Sequence, residues 1–442
     1  IFELFVPGVK AGTAYQYEIR SKGGNIQRKS DPYGNATQEP PSVISIVADL
    51  GDFSWQDDEW MKERVKYESR EVPVSIYETE LTAWKNSIDL VEFVKKTGYT
   101  HVEFHPVMEY LDQRSGGYST SAYYAVTTRF GTADDFRTLI EALHQAGIGV
   151  ILDWTPAQFP RFDAGLEKFD GTPLYEVQNP AMAVHPMWGT MLYNYGSPMV
   201  RDFLLSNAFF WLDEFHVDGF RLDDVDAMLY LDFGREAGQW TPNLYGSNEN
   251  LQALEFLKHL NSIVKKRNPG VLMIVQEDGL WPQLTDSVEN DHPGFDYKWS
   301  GGWTRDFLTY LETEPVKRHE HYDQMTLSMM YAYSEHYVLT LGKRDAGTTA
   351  EFLEKLPGSP KQKKAQLRAA YGYLTLHPGI KMTAPDSDIE PELKDYIHDL
   401  NELYRTSPAL YTMDGNSDGF EWIQFTSYDE NIVAFLRKTQ KP

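Results

Sequence analysis

An alternation of short apolar segments with longer amphipathic ones, between residues 72 and 382, constrains the fold of this chain most strongly. The apolar segments, which predict strands, are Val74–Tyr77, His101–Phe104, Gly149–Asp153, Val217–Leu222, Val271–Val275, His336–Leu341 and Gly379–Met382. The amphipathic segments, which predict helices, are Leu90–Thr97, Phe136–Ala146, Val200–Phe215, Leu251–Lys266 and Lys361–Leu376. Such alternation indicates parallel strands joined by helices, and eight units of this kind imply a closed (β/α)₈ barrel. Its active site would lie at the carboxyl ends of the strands.

The regions on either side of this alternation read as β structure. Before residue 72, Ile1–Val6, Tyr15–Ser21 and Ser42–Val47 are strand-like, Gly23-Gly24-Asn25 predicts a hairpin turn, and the charged stretch Asp57–Glu71 predicts a helical connector. After Pro391, a helix is predicted over Leu393–Tyr404 and strands over Phe420–Thr426 and Ile432–Arg437. We therefore expect a partial N-terminal β-sandwich with connector (1–71), a barrel (72–390), and a helix with the start of a C-terminal β domain (391–442). Because the chain opens within a strand-like run, we also expect that residues precede Ile1.

The composition narrows the classes of partner. The formal net charge is −24, which disfavours nucleic acid and anionic membranes, because binding to phosphates needs a basic surface. A neutral polymer is compatible with this charge. The chain has no Cys, so it can form no disulfide and perform no thiol chemistry. No apolar run reaches the ~18–20 residues that span a membrane. These features indicate a cytoplasmic protein.

The segment Asp218-Gly219-Phe220-Arg221-Leu222-Asp223-Asp224-Val225 carries the clearest chemical signal. Alternate residues of a strand share a face, so Arg221 and Asp223 would both point towards the barrel axis. A carboxylate beside a guanidinium stays ionised, as a nucleophile must. The alternative interpretation is a buried Arg–Asp pair that only fills the barrel.

A second carboxylate follows a neighbouring predicted strand. Val271–Val275 continues into Gln276-Glu277-Asp278, at the end of the barrel where catalytic groups lie. Two carboxyl groups ~5–5.5 Å apart are what retaining glycoside chemistry requires, one as nucleophile and one as acid. We therefore predict that Asp223 and Glu277 face each other across one mouth. The alternative for Glu277 is an acid that complements the dipole of a helix N-terminus.

Several motifs occur in the same order as in glycogen (1,4-α-glucan) branching enzymes of the α-amylase superfamily, and the resemblance covers nearly the whole chain. They are Arg129-Phe130-Gly131-Thr132-Ala133-Asp134-Asp135-Phe136, Val150-Ile151-Leu152-Asp153-Trp154, Gly171-Thr172-Pro173-Leu174-Tyr175-Glu176, Tyr193-Asn194-Tyr195-Gly196, Phe220-Arg221-Leu222-Asp223, Asp296-Tyr297-Lys298-Trp299 and Asp418-Gly419-Phe420-Glu421-Trp422. The resemblance implies a transglycosylase that cleaves α-1,4 links and forms α-1,6 links in glycogen. It implies α-glucan as substrate, with neither metal nor cofactor.

The same resemblance assigns roles to individual residues. Asp223 is the implied nucleophile and Glu277 the implied acid/base, while Tyr118 stacks under the sugar at the cleaved bond. Asp153 and Arg221 support the same site.

The chain also departs from the family pattern near this site. Gln158 and Ser119 stand where the family has His and Gln, and Lys343-Arg344-Asp345 replaces His-Asp-Glu. Thr383-Ala384-Pro385 replaces the Gly-Asn-Glu-Phe segment. Asp345 is a third candidate catalytic residue if the loop slips by one position, and Gln158 is a candidate substrate-binding residue.

Two hypotheses follow from this pattern. In the first, the chain is a branching enzyme, and Asp345 turns inward to replace the missing acid. In the second, it is a catalytically impaired relative that binds glucan as a regulatory or scaffold protein, with Lys343 or Arg344 paired to Asp223. We expect Asp345 to face the pocket. Hydrolysis and transfer use the same carboxylates, so the sequence does not separate them.

Overall fold

Eight parallel strands close into a barrel in the computed structural model, which describes residues 5–51, 53–81, 83–84 and 87–440. The barrel strands are β1 (Ser75–Thr79), β2 (His101–Phe104), β3 (Gly149–Trp154), β4 (Gly219–Leu222), β5 (Leu272–Val275), β6 (Tyr297–Trp299), β7 (Tyr337–Leu341) and β8 (Ile380–Thr383). Each strand pairs with its neighbours in sequence order, and β8 closes on β1. The predicted (β/α)₈ barrel is confirmed.

The barrel interior is filled by alternate residues of these strands. The inward-facing apolar side chains include Ile76, Ile151, Leu272, Ile274, Val338 and Met382. The residues between them, such as Val150, Leu152, Met273 and Val275, pack outwards into the larger core formed with the helices. Burial on both faces explains why these strands read as continuous apolar runs in the sequence.

Helices cover the outside of the barrel and line its rim. Their bounds are Asp58–Glu63, Ile88–Thr97, Ala133–Gln145, Pro180–Ala183, Pro198–Glu214, Val225–Leu229, Leu251–Arg267, Gly301–Glu312, Asp323–Thr326, Lys343–Ala346, Thr349–Lys355, Pro360–Leu376 and Pro391–Thr406. Local sequence sets several of their ends. Thr132 and Asp135 form a reciprocal capping box that starts the helix Ala133–Gln145, and Gly98 ends the helix Ile88–Thr97 in a left-handed conformation.

The pieces outside the barrel are small. Tyr17–Arg20 and Ile26–Lys29 form the predicted hairpin around Gly23-Gly24-Asn25, and Ala14–Tyr15 pairs with Ser45–Ile46. The first four residues of the predicted strand Ile1–Val6 lie outside the described residues. At the other end, Phe420–Ser427 and Ile432–Arg437 form an antiparallel pair. Within the part of the chain that the structure describes, no helix is both long enough and apolar enough to cross a membrane.

A buried polar network joins the connector Asp58–Glu63 and its flanks to the amino-terminal end of the barrel. His144 places Nδ1 2.8 Å from an oxygen of Asp57 and Nε2 2.9 Å from an oxygen of Asp218. Asp218 also accepts from Trp60 Nε1 at 2.9 Å and from the Val150 amide at 2.7 Å. Although burial opposes ionisation, His144 lowers the pKa of Asp218 to about 2. The bottom of the barrel is thus closed by charges that neutralise one another.

Candidate active site

A cavity of about 950 Å³ opens at the carboxyl ends of the barrel strands. Its lining is acidic and aromatic, and includes Tyr118, Ser119, Gln158, Met187, Trp188, Asp223, Asp224, Asp226, Tyr230, Phe233, Gln276, Asp278 and Arg344. This is the end at which barrel enzymes hold their catalytic groups. Among the residues that the structure describes, no group of three or more His, Asp or Glu side chains is arranged to hold a metal ion.

Arg221 organises the floor of this cavity. It lies on β4 directly across from Asp153 on β3, and its Nε donates to Asp153 Oδ1 at 2.7 Å. Its Nη2 donates to the Tyr118 hydroxyl at 3.0 Å, and its guanidinium lies 4.8 Å from the centre of the Trp299 ring. The structure therefore brings together Tyr118, Asp153 and Arg221, as the sequence predicts.

Two buried carboxyl groups on this floor, Asp153 and Glu103, share the single guanidinium of Arg221. Although burial opposes ionisation, Arg221 lowers the pKa of Asp153 to about 2. Glu103 is also fully buried and lies 3.0 Å from Arg221 Nε. Burial and the neighbouring Asp153 raise the pKa of Glu103 well above its usual range. The guanidinium of Arg221 thus keeps Asp153 ionised, while burial beside Asp153 disfavours ionisation of Glu103.

Asp223 lies at the end of β4, where its amide donates to the Trp154 carbonyl at 2.9 Å. The residue is 8% exposed and borders the cavity. Arg344 Nη1 donates to its Oδ1 at 2.8 Å, and Arg221 Nη1 lies 3.5 Å from the same oxygen. The Arg344 guanidinium also lies 4.8 Å from the centre of the Tyr118 ring. The position over Tyr118, where the resemblance predicts a sugar, is occupied by Arg344.

Gln276, the residue directly after β5, points into the cavity, and this corrects the expected position of Glu277. Leu272 and Ile274 face the barrel interior, so the alternation of the strand also directs residue 276 inward. The Gln276 Oε1 accepts hydrogen bonds from Arg221 and, at 3.1 Å, from Arg344. Glu277 is 1% exposed and does not line the cavity. A primary amide therefore stands where the prediction placed a carboxyl group.

Glu277 lies behind the cavity wall. Its Oε2 accepts from Lys298 Nζ on β6 at 2.6 Å. Its other neighbours include Asp226, which borders the cavity and accepts from the amides of Asp278 and Gly279 at 3.0 Å each. Burial and the nearby Glu277 raise the pKa of Asp226 to about 6. Of the two carboxyl groups, Asp226 is the one that the cavity exposes.

Asp224 follows Asp223 with a left-handed backbone, at a φ of 60°. Non-glycine residues rarely adopt this conformation, so surrounding contacts must hold it in place. Gln158 Nε2 donates to Asp224 Oδ2 at 2.9 Å, and His185 Nε2 lies 3.0 Å from the same oxygen. The His185 Nδ1 accepts from the amides of Met187 and Trp188, which places the donated proton on Nε2. Gln158 therefore borders the cavity but holds a neighbour of Asp223.

Asp345 does not line the cavity, which corrects the expectation that it faces the pocket. It belongs to the short helix Lys343–Ala346, and its carboxylate accepts a hydrogen bond from the Thr340 hydroxyl on β7. Burial raises the pKa of Asp345 to about 6. Lys343 turns outward and pairs with Glu80 at 2.8 Å. Of the three residues of this loop, only Arg344 enters the mouth.

Several residues of the site were not predicted from the sequence. Gln276 could have been found by extending the alternation of β5 by one step. Asp226 follows Asp223 by three residues, on the short helix Val225–Leu229 that begins just after β4, so strand alternation does not reveal it. His185 and Trp188 lie in a segment without helical or strand periodicity, so only the three-dimensional structure connects them to Asp223.

The barrel and its site define the class of this protein. Residues 79–157 match the alpha-amylase catalytic domain family. An alpha-amylase structure from Anoxybacillus superposes with a TM-score of 0.57 at 16% identity, covering 84% of this chain and 85% of that chain. The chain is thus a (β/α)₈ barrel protein of the α-amylase type.

Closer relatives identify the family. The chain is 44% identical to the 1,4-alpha-glucan branching enzyme GlgB of Thermobifida fusca, covering 99% of this chain and 62% of that protein. It is 39% identical to the 1,4-alpha-glucan branching enzyme GlgB of Marinobacter nauticus, covering 100% of this chain and 75% of that protein. The chain therefore belongs to the 1,4-alpha-glucan branching enzyme family. It spans about three fifths of the length of the Thermobifida relative.

Proposed function

We propose that this chain carries the catalytic barrel of a 1,4-α-glucan branching enzyme, which cleaves α-1,4 links and forms α-1,6 links. The observation that carries the proposal is the position of Asp223. This carboxylate ends β4 within a cavity of about 950 Å³, beside the Tyr118–Asp153–Arg221 cluster. The names of the relatives support the same reaction. A cytoplasmic location and a glycogen-like substrate are part of this proposal.

The reaction would proceed in two balanced steps. In the first, an oxygen of Asp223 attacks the anomeric carbon, the α-1,4 C–O bond breaks, and an acid protonates the departing 4-oxygen. In the second, the 6-hydroxyl of an acceptor chain attacks the same carbon and breaks the ester to Asp223. The hydroxyl proton then returns to the acid, now acting as a base. Arg221, held by Asp153, lies 3.5 Å from Asp223 Oδ1 and so helps to fix the position of the nucleophile.

Asp226 is our candidate for the acid, in place of Glu277. It borders the cavity, whereas Glu277 is buried and paired with Lys298. The pKa of Asp226, raised to about 6 by burial and by Glu277, leaves part of the population protonated near neutral pH. Glu277 is then a positioning residue that keeps the proton on Asp226. Gln276 has no acidic proton and can only orient the sugar or the two arginines.

Transfer rather than hydrolysis requires that an acceptor hydroxyl outcompete water at the covalent intermediate. A positioned hydroxyl gains a high effective concentration, so an acceptor groove favours transfer. The exposed Trp188 on the cavity rim offers an apolar face for sugar rings. Neutral α-glucan also suits a mouth whose lining carries several carboxylates, which would repel an anionic substrate.

A second candidate function is glucan binding with little turnover. Two specific observations favour it: Arg344 pairs with Asp223 over the Tyr118 ring, and Gln276 stands at the inward position of β5. A nucleophile paired in this way loses access to the anomeric carbon. In this case the protein would hold glucan chains for another component.

Incubation with linear amylose tests these proposals. A branching enzyme creates α-1,6 branch points with few new reducing ends, whereas a hydrolase creates reducing ends alone. Asp223→Asn serves as the matched control, since it removes the nucleophile but retains the size of the side chain. Affinity electrophoresis in glycogen would reveal glucan binding in both proteins. Binding without branch points would replace the first candidate by the second, and absence of binding would exclude both.

A further inference from the structure

One buried carboxylate, Glu78, holds the short turn that carries Arg344 into the mouth. We call residues 342–346 the Arg344 turn. Glu78 lies on β1 with 1% of its surface exposed, and its Oε2 accepts a hydrogen bond from the Lys343 amide at 2.5 Å. Residue 342 is a glycine, and a Cβ added there would collide with the same carboxylate oxygen. The lack of a side chain at this position therefore lets the turn pack directly on Glu78.

Glu78 also contacts the wall of the mouth through its other carboxylate oxygen. The Oε1 lies 2.8 Å from Nε2 of His105, the residue directly after β2. The amide of His105 in turn donates to the Thr79 carbonyl at 3.2 Å, which ties it to β1. The His105 ring is a neighbour of the Tyr118 ring, with ring centres 6.2 Å apart. A single side chain thus joins the Arg344 turn to a residue that packs near Tyr118.

The residues on both sides of Arg344 are anchored away from the cavity. The Thr340 hydroxyl on β7 donates to the Asp345 carboxylate, and the Lys343 ammonium group pairs with Glu80 at 2.8 Å. The pair with Glu80 is partly exposed and adds little stability. The bond from the Lys343 amide ends on a buried carboxylate, so it holds the turn more strongly. This bond is therefore a principal tie between the turn and the barrel.

The Arg344 side chain occupies the space that a sugar would need. Its Nη1 donates to Asp223 Oδ1 at 2.8 Å and to Gln276 Oε1 at 3.1 Å. Its guanidinium carbon lies 4.8 Å from the centre of the Tyr118 ring. A sugar ring that stacks on Tyr118 with its anomeric carbon at Asp223 has to fill the same position. Arg344 and a sugar therefore exclude each other from the mouth.

We propose that Glu78 is a positioning residue that keeps Arg344 in the mouth, so that Arg344 acts as an internal competitor of the substrate. This inference rests on the proposed function, because the competing ligand is taken to be a glucan. Glu78 acts through the backbone of the Arg344 turn and contacts no sugar itself. A glucan binds only when the turn has moved Arg344 aside, so the apparent affinity is reduced by the fraction of molecules in that open state. A weaker hold on the turn raises this fraction and strengthens binding without any new contact.

Isothermal titration of the whole chain with maltotriose measures this competition. Glu78→Gln keeps the size of the side chain but replaces the carboxylate by a neutral amide, which weakens the bond from the Lys343 amide. Gly342→Ala loosens the same contact from the other side, because its added methyl group collides with Glu78. Arg344→Ala removes the competitor itself. Glu109→Gln is the matched control, since Glu109 is a buried carboxylate outside the cavity lining that also accepts from backbone amides, at 3.0 and 2.8 Å.

We expect Arg344→Ala to strengthen maltotriose binding about tenfold, as for an open fraction of roughly one tenth in the parent protein. Glu78→Gln and Gly342→Ala should each strengthen it about threefold, because they loosen the turn but leave Arg344 in place. Combined with Arg344→Ala, Glu78→Gln should add nothing, since it acts only through Arg344. Glu109→Gln should bind maltotriose as the parent protein does.

Hydrogen exchange of the Lys343 amide without sugar measures the hold on the turn directly, and it should be faster in Glu78→Gln. Three results would overturn the inference. They are unchanged exchange in Glu78→Gln, an equally large effect of Glu78→Gln in the Arg344→Ala background, and unchanged or weaker maltotriose binding in Glu78→Gln. If Glu78→Gln fails to fold, Gly342→Ala takes its place in all three comparisons. Faster exchange without maltotriose binding in any variant would support the hold of Glu78 on the turn but contradict the proposed function.

Discussion

The two ends of the barrel differ in how their buried charges are paired. At the amino-terminal end, Asp57 and Asp218 share His144, and Asp218 also accepts from Trp60, Arg64 and the Val150 amide. At the carboxyl end, acids outnumber cations around the cavity, and burial raises the pKa of Asp224, Asp226 and Asp278 above their usual range. Paired charges stabilise the amino-terminal end of the barrel. Carboxyl groups with raised pKa values remain at the carboxyl end, where they border the cavity that a substrate would enter.

The largest expected effect is a loss of branching activity on substitution at the carboxyl end of the barrel. Asp223→Asn should lower branching activity by ~10³ or more, because no other carboxylate reaches the same position on β4. The free energy of unfolding should fall less than in Asp218→Asn, because Asp223 borders the cavity and the Arg221 guanidinium keeps its pairing with Asp153. Counting branch points in amylose and unfolding in urea measure the two properties. Wild-type turnover in Asp223→Asn would exclude this residue as the nucleophile.

The corresponding change at the other end should affect stability. Asp218→Asn leaves the buried His144 without one of its two carboxylates, and breaking a buried ion pair costs roughly 3–5 kcal/mol. The same urea titration should show this loss, while branching activity per folded molecule stays at the parent level. Reduced activity in an Asp218→Asn protein of unchanged stability would show that Asp218 serves the reaction rather than the stability of the fold.

The pH dependence of activity tests whether Asp226, at the carboxyl end of the barrel, is the acid. The acid must be protonated for the first step, and the pKa of Asp226 is raised to about 6 by burial and by Glu277. The rate should therefore be level below this pH and fall about tenfold per pH unit above it, where the acid form becomes scarce. Asp226→Asn should remove both the fall and most of the rate. A fall that persists unchanged in Asp226→Asn would assign the acid role to another group.

The smallest expected effect concerns the cation that covers Tyr118. Arg344→Ala frees Asp223 and the Tyr118 ring, so the branching rate should rise roughly fivefold to tenfold, as for the removal of one partly exposed charged hydrogen bond. Arg64→Ala is the matched change at the other end, where it should lower stability without changing the rate. A lower rate in Arg344→Ala would show that this cation helps to bind the substrate.

Most of the fold could be predicted from the sequence, because apolar strands buried on both faces leave a strong pattern. His101–Phe104 and Ile432–Arg437 were predicted with the observed bounds, and most other elements within a few residues. Strand β6 was missed, since it has only three residues and includes Lys298, whose ammonium group reaches Glu277. The short length and the charge conceal the strand, although the surrounding barrel requires one there.

The site was harder to predict than the fold. Arg221, Asp153 and Tyr118 could be grouped in advance, because barrel strands bring their carboxyl ends together. Confusing Glu277 with Gln276 is an error of one residue, and on a strand one residue moves a side chain to the opposite face. The contact between Arg344 and Asp223 depends on the conformation of a loop far along the chain. Local sequence periodicity carries no information about such a contact.

The shape of the mouth depends on the contacts that hold the backbone of Asp224. Its left-handed backbone costs on the order of 1–3 kcal/mol. A hydrogen bond from Gln158 and the close approach of His185 Nε2, both to one carboxylate oxygen, hold it in place. A substitution at either position could therefore redirect Asp223 without touching a substrate. The glutamine at position 158 keeps an N–H donor where the family has a histidine, so the exchange preserves this support. The support of Asp224 thus requires only a hydrogen-bond donor at residue 158, and a change at a bordering position need not be a loss of function.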